Sequence, residues 1–234
     1  MDPILFYGVP EGCSFGAIVA LEWSGRPYRL CRIQMPGEVS SPAYKRLNPL
    51  GETPTLMTAD GATFSQTQAI LQHIAATSGD PRMGARPGQP GFDRLNEMLA
   101  FLTTTFFSSF SPLWQTVEGA SEADKAVLIP NGRRKVRKAH AQLEALLAGR
   151  DCMVGDGPTL AEAYFMGISR WNDFHQAIDP AEFPAVQALR ARMEKDPAVR
   201  FALAIEHEEP AESAGGFRGH VGLEAVLEGQ RAPA

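Results

Sequence analysis

Between Gly79 and Gly91 the chain reads GDPRMGARPGQPG, and seven of these thirteen residues are Gly or Pro. Proline removes a backbone donor and glycine weakens regular structure, so neither helix nor strand runs through such a stretch. It predicts a linker over 79–91, and the sequence on its two sides differs in period. Before it, short strand-like and helix-like runs alternate. Ile4-Leu5-Phe6-Tyr7 reads as a buried strand, and Phe15, Ile18, Val19 and Leu21 as a helical stripe that stops at Gly25. Tyr28 to Ile33 is a second strand. Thr55-Leu56-Met57 and Ala62-Thr63-Phe64 flank Asp60-Gly61, a hairpin signal, and Ala69, Ile70, His73 and Ile74 form a further helix. A crossover followed by a hairpin predicts a small mixed sheet with helices on its faces.

After the linker the period is helical throughout. Leu95, Met98, Leu99, Leu102 and Phe106 recur at three- and four-residue steps, as do Val136, His140, Leu143 and Leu147. Thr159-Leu160-Ala161-Glu162 is a capping box, and Pro184 opens a helix carrying Val186, Leu189 and Met193. The predicted organisation is a domain over 1–78, the linker over 79–91, an all-helical domain over 92–205 and a tail over 206–234. The tail is acidic, then Gly-rich, with a weak stripe at Leu223, Val226 and Leu227, and is expected to be partly disordered.

Composition narrows the function classes. Of 234 residues, 44% are hydrophobic, enough for a sizeable core. Lys plus Arg is 22 and Asp plus Glu is 27, a net charge of −5, which argues against nucleic acid and anionic membranes as partners. The basic run Arg133 to Lys138 continues the Val136 stripe and reads as the solvated face of a helix. Cys13, Cys31 and Cys152 are odd in number and include no C-x-x-C pair, and His73, His140, His175, His207 and His220 show no metal-ligand spacing. No metal is therefore expected. The opening Met1-Asp2-Pro3 lacks the basic and apolar regions of a signal peptide, and no apolar run approaches the roughly 18–20 residues of a membrane span. A cytoplasmic protein with reduced thiols is the expectation.

Six segments, in order, carry a resemblance. They are Leu5-Phe6-Tyr7-Gly8-Val9-Pro10-Glu11-Gly12-Cys13-Ser14, Asn48-Pro49-Leu50-Gly51-Glu52-Thr53-Pro54-Thr55-Leu56, Phe64-Ser65-Gln66-Thr67-Gln68-Ala69-Ile70, Ser109-Phe110-Ser111-Pro112-Leu113, Gly155-Asp156-Gly157-Pro158-Thr159-Leu160-Ala161, and Phe183-Pro184 through Pro197-Ala198-Val199. Together they resemble the bacterial beta-class glutathione transferases from Met1 to about Leu203. The resemblance implies an α/β thioredoxin-like N-terminal domain, with a mixed four-stranded sheet and helices, joined to an all-α helical bundle. It implies glutathione as co-substrate, a small hydrophobic electrophile as second substrate, and a homodimer.

The resemblance also implies the site. Thr53, followed by Pro54 in cis and preceded by Glu52, would present a backbone edge to the cysteinyl residue of glutathione; read alone, Pro54 is an ordinary trans turn proline. Gln66 and Thr67 would hold the γ-glutamyl end at a helix N-terminus, with a neutral Gln where the family more often has Glu. Cys13, Ser14 and Tyr7 would stabilise the thiolate. Lowering a thiol from about 8.5 to about 6.5 needs about 2.7 kcal/mol, and one charge-assisted hydrogen bond supplies about 1.5–3. The helix end is expected to depress the pKa of Cys13 as well. The alternatives are that Cys13 is a small packed residue and Tyr7 a core tyrosine. Cys31 and Cys152 read as inert core.

The family's His-Lys pair before the Ser-Phe-Ser-Pro segment is replaced by Phe107 and Ser108. Phe106, Phe107, Phe110 and Trp114 would then make an aromatic second-substrate pocket, or some of them are core. The expected activity is conjugation of the glutathione thiolate to hydrophobic electrophiles, of a detoxification type. Two other functions fit the residues: a glutathione-dependent thiol–disulfide oxidoreductase using Cys13, and a non-catalytic binding protein on the same fold.

Overall fold

A computed structural model describes residues 1–80 and 83–229. Part of the expected linker, 81–82, and the last five residues of the expected tail, 230–234, lie outside the described residues. The chain forms two compact units, one of Met1–Met83 with Asp196–Ala234, the other of Gly84–Lys195.

In the first unit, β1 (Ile4–Val9) leads into α1 (Phe15–Ser24), which stops at Gly25 in the left-handed conformation, and β2 (Tyr28–Gln34) follows. After an irregular stretch with a short 3-10 turn at Tyr44–Arg46 come β3 (Thr55–Met57), β4 (Thr63–Ser65) and α2 (Thr67–Ser78). β1 pairs parallel with β2 and antiparallel with β3, and β3 pairs antiparallel with β4 across the Asp60-Gly61 turn. This is the small mixed sheet that the order of runs and the Asp-Gly signal predict, and the thioredoxin-like arrangement that the family resemblance implies. Every residue of β1 is buried, because helices cover both of its faces.

The residues from Asp196 rejoin this unit: those up to 205 leave the all-helical domain expected over 92–205, and those over 206–229 are ordered where a partly disordered tail is expected. Asp196 caps α9 (Pro197–His207) and also accepts from the Trp23 indole at 3.2 Å, and α9 packs along α1. β5 (Phe217–His220) then pairs parallel with β2, giving the sheet order β4-β3-β1-β2-β5, and α10 (Leu223–Gly229) follows. Leu223, Val226 and Leu227 pack on Ile4, Phe6, Ile33 and Tyr44. The Gly-rich composition that suggested disorder serves close approach instead. A Cβ on Gly216 would lie 1.8 Å from the Arg26 carbonyl oxygen, and one on Gly215 would lie 2.5 Å from that of Glu22. Between them the segment satisfies the buried Glu22 carboxylate, which accepts from the Ser213 hydroxyl, the Gly215 N–H and the Tyr28 hydroxyl.

The second unit is helical: α3 (Phe92–Phe101), α4 (Ser111–Val117), α5 (Glu122–Leu146), α6 (Leu160–Ser169), α7 (Trp171–His175) and α8 (Pro184–Met193). The Thr159 side chain caps α6 while the Glu162 carboxylate accepts from the backbone of Thr159 and Met153. The charged side chains of Arg133, Arg134, Lys135, Arg137 and Lys138 are exposed, as the stripe on α5 requires. Between α3 and α4 the helix widens to a π-helical stretch over Leu102–Phe107. The Thr103 and Thr104 hydroxyls donate to the carbonyls four residues back, and the Ser108 hydroxyl to the Thr103 carbonyl, a competition with the α-helical ladder that loosens the turn.

His140 lies in the core of this unit among the rings of Phe106, Phe110 and Phe183, with Nδ1 2.9 Å from the Val136 carbonyl oxygen. Burial lowers its pKa to about 4.

Two stability effects follow from these contacts. Leu227→Ala should cost about 2–4 kcal/mol in urea unfolding, whereas Glu224→Ala on the exposed face of α10 should stay within about 0.5. His140 has a folded-state pKa below its unfolded value, so the unfolded chain takes up the proton first on acidification. Stability should therefore fall from about pH 6.5 to about pH 4, by about 3 kcal/mol in all. The difference in slope between the wild type and His140→Phe measures it.

Candidate functional site

The turn from β1 to α1 and the loop before β3 meet at the C-terminal end of β1, and two glycines allow it. A Cβ on Gly8 would lie 2.2 Å from Thr53 Oγ1 and 2.7 Å from Met35 Sδ. A Cβ on Gly12 would lie 2.1 Å from the Gly8 carbonyl oxygen. The Gly8 N–H donates to Ser14 Oγ at 2.9 Å, which ties the turn to the first residue of the helical bend.

Cys13 stands in that turn, half-buried, and its thiol donates to the Thr53 carbonyl oxygen at 3.2 Å. The Thr67 hydroxyl donates to the Cys13 carbonyl at 3.3 Å. The Thr53–Pro54 peptide is cis. Glu52 and Gln66 are exposed beside this cluster, with Gln66 Nε2 3.4 Å from Glu52 Oε2. Gln66 has φ 76° and ψ 117°, a conformation that side-chain-bearing residues rarely adopt. It directly precedes α2, whose first residue is Thr67, so the free N–H groups of the helix open beside the strained residue. The backbone of Glu52 is pinned from behind, its carbonyl accepting from the Tyr44 hydroxyl at 2.9 Å and from Asn48 Nδ2 at 2.7 Å.

The structure thus brings Cys13, Glu52, Thr53, Pro54, Gln66 and Thr67 into one cluster. Ser14 and Tyr7 differ. Ser14 is fully buried with its oxygen accepting from Gly8, so it builds the turn. Tyr7 is also fully buried, its hydroxyl 3.1 Å from His220 Nε2 and 3.5 Å from Arg32 Nη1. Those partners lie on β2 and β5, so the Tyr7 hydroxyl joins the added strand to the sheet. Desolvation raises its pKa, and Arg32 only partly offsets that.

The expected depression of the Cys13 pKa is not found. Burial raises it, against the lowering effect of the hydrogen bond from Thr67, and the carboxylates of Glu52 and Glu206 add to the rise. The contact with Thr53 acts in the same direction, because a carbonyl accepts only from the protonated thiol. Cys31 and Cys152 are buried, with pKa values raised by desolvation, that of Cys31 to about 12.

The four aromatic residues separate. Phe106 and Phe110 are fully buried, packed on each other and on His140, and belong to the core of the helical unit. Phe107 and Trp114 are partly exposed and both contact the Trp171 ring, at centroid distances of 5.0 and 5.2 Å. The π-helical stretch was not legible from the period of the apolar residues, although the run Thr103-Thr104-Thr105 is a signal for it. Sequence alone assigns no supporting role to Gly8, Gly12, Met35, Tyr44 or Asn48, although the motifs over 5–14 and 48–56 contain three of them.

Among the described residues no group of three or more His, Cys, Asp or Glu gathers as a metal site, and no helix is long and apolar enough to cross a membrane.

Two family descriptions match the chain: glutathione S-transferase, N-terminal domain, over residues 12–77, and glutathione S-transferase, C-terminal domain, over residues 96–197. Glutathione S-transferase GST-4.5 of Xanthomonas campestris pv. campestris is 31% identical over 203 residues, covering 86% of this chain and 97% of that protein. A sphingomonad glutathione S-transferase solved in complex with glutathione superposes with a TM-score of 0.76 at 26% identity, covering 87% of this chain and 98% of the other. The bacterial beta-class glutathione S-transferase of Sphingomonas chungbukensis superposes with a TM-score of 0.76 at 25% identity and the same coverage. β5 and α10 lie beyond the residues that either family description matches. With the thioredoxin-like sheet, the helical unit and both matches in agreement, this chain belongs to the glutathione S-transferase family, and its enzyme class is that of a glutathione transferase.

Proposed function

We propose that the protein conjugates the glutathione thiolate to hydrophobic electrophiles, with Cys13 acting as a hydrogen-bond donor to that thiolate and not as a nucleophile. The observation that carries this reading is the 3.2 Å contact between Cys13 Sγ and the Thr53 carbonyl oxygen. An extended peptide adding to the backbone at Thr53 would donate its cysteinyl N–H to that carbonyl. The displaced Cys13 S–H is then free to point at the ligand's own sulfur, a few bonds from that N–H. Because burial raises the Cys13 pKa, the donor stays protonated at neutral pH.

The γ-glutamyl carboxylate is assigned to the first N–H groups of α2 and the Thr67 hydroxyl, where the helix dipole favours an anion. Gln66 and the Glu52 carboxylate, which already face one another, are assigned to the ammonium. The held thiolate attacks the electrophilic carbon, a C–S bond forms, and the leaving group departs with its electron pair; the proton lost by the thiol has gone to solvent. Phe107 and Trp114 are the residues assigned to the apolar body of the electrophile. The solved relative complexed with glutathione supports the co-substrate. A thiol–disulfide oxidoreductase would need a Cys13 thiolate, which its burial opposes. The reading extends to a homodimer in a detoxification role, as the family resemblance implies, and to a cytoplasmic location, as the thiol and N-terminal composition suggest.

Conjugation of 1-chloro-2,4-dinitrobenzene tests the assignment. Cys13→Ala should lower kcat/KM by about 10–150-fold, the worth of one hydrogen bond to a charged group, while Cys13→Ser keeps a donor and recovers most of the rate. An inactive Cys13→Ser enzyme, with wild type that exchanges rapidly with glutathione disulfide, would establish the oxidoreductase instead. Thr67→Val should raise KM for glutathione several-fold with kcat nearly unchanged, and Tyr7→Phe should leave both constants at the wild-type level.

A further inference from the structure

The helical unit contains a cavity of about 230 Å³ that the glutathione chemistry does not use. Its wall is built from α5, α6, α8 and the loop before α8, and the side chains of Phe165, Ile178, Phe183 and Val186 that line it are all at least nine-tenths buried. Its rim is polar: Asp173, Arg190 and Glu194 line it as well, and Arg190 is ion-paired to both carboxylates. A cavity of about 150 Å³ with an apolar lining already holds benzene, so this one has room for a single substituted ring.

The polar chemistry of the wall is one-sided. His140 is 5% exposed and lines the cavity. Its Nδ1 lies 2.9 Å from the Val136 carbonyl oxygen, which has only lone pairs, so Nδ1 carries the ring proton. Burial keeps the imidazole neutral, which leaves Nε2 with a bare lone pair. Two buried polar side chains beside it are already engaged. The Asn172 amide exchanges two hydrogen bonds with the Ile178 backbone, and the Ser169 hydroxyl donates to the Met166 carbonyl. The buried part of the wall therefore offers the His140 Nε2 acceptor, while the Gln187 amide stands exposed at the rim and the lining cation Arg190 is neutralised there.

We infer that this cavity is a binding site for a small neutral aromatic molecule carrying a hydroxyl donor, a phenol, with its ring among Phe165, Phe183 and Val186 and its O–H donated to His140 Nε2. The site is independent of the glutathione reading, since none of its residues belongs to the Cys13–Thr53 cluster. A phenol satisfies both features at once: apolar area fills the wall and one donor meets the buried acceptor. An anion finds no unpaired positive charge, and an aromatic without a donor leaves the lone pair desolvated and unmatched.

The test is a fluorine NMR titration of the full chain with 4-fluorophenol and with 4-fluorotoluene, each with and without saturating S-hexylglutathione. The expected result is saturable binding of 4-fluorophenol, about tenfold tighter than 4-fluorotoluene, and unaffected by S-hexylglutathione. In His140→Phe the ratio between the two ligands should fall to about one. Val186→Phe, which fills the cavity from α8, should abolish binding of both, and it carries the test if His140→Phe does not fold. Equal affinity for the two ligands in the wild type, displacement by S-hexylglutathione, persistence of the preference in His140→Phe, full binding in Val186→Phe, or no saturation by about 10 mM would each overturn the assignment.

Discussion

Thr53 occupies the space where a side chain of residue 8 would stand, and the arrangement at the end of β1 depends on that approach. A Cβ at Gly8 would lie 2.2 Å from Thr53 Oγ1, so only glycine lets the loop before β3 close on the β1–α1 turn. Closure brings the Thr53 carbonyl within 3.2 Å of Cys13 Sγ and sets Cys13 where Thr67 can hold its backbone. Met35 fills the other side of the same contact and packs with the cluster that contains Leu223, Val226 and Leu227. One steric constraint thus links the candidate thiol site to the added C-terminal segment.

That segment changes the first unit in two ways. β5 gives β2 a hydrogen-bonded neighbour, so the edge of the sheet moves outward by one strand. α10 buries apolar side chains on a sheet face that Tyr44 and Leu47 also cover. Tyr7 and Arg32 take part in this junction: Arg32 reaches the carbonyl oxygens of Ile205 and Glu206, and Tyr7 meets His220. The family pattern suggests Tyr7, at the end of the first strand, for thiolate chemistry; its hydroxyl lies 3.1 Å from His220 on β5.

The helical unit shows how burial separates residues of one chemical type. Phe106, Phe107, Phe110 and Trp114 fall within nine positions of each other. The π-helical stretch and the start of α4 turn Phe106 and Phe110 onto His140, while Phe107 and Trp114 gather at Trp171 with partial exposure. His140 belongs to the same aromatic core and also lines the cavity of this unit, which makes it a pH-sensitive element at the wall of that cavity.

Strands β1 to β4 and the long helices were legible in the sequence, because strand and helix periods, the Asp60-Gly61 turn and the Thr159–Glu162 capping box are encoded by residues close together in the chain. The family was legible for the same reason, since each motif is a short local pattern, and the same motifs pointed to Cys13, Thr53, Pro54, Gln66 and Thr67, which the fold brings into one cluster. Other outcomes depend on residues far apart in sequence. Gly215 and Gly216 read as a loose tail until α1 is seen to lie against them, where Glu22 awaits donors and no Cβ fits. Cys13 reads as an activated thiol from its place before a helix, yet desolvation and the Thr53 carbonyl, forty residues away, keep it protonated. The sequence alone determined the family, strands β1 to β4 and the long helices, because local patterns encode them. Tertiary structure decided the burial and partners of Tyr7, Ser14 and Phe106 and the order of the C-terminal segment, because burial and hydrogen-bond satisfaction belong to neighbours that only folding supplies.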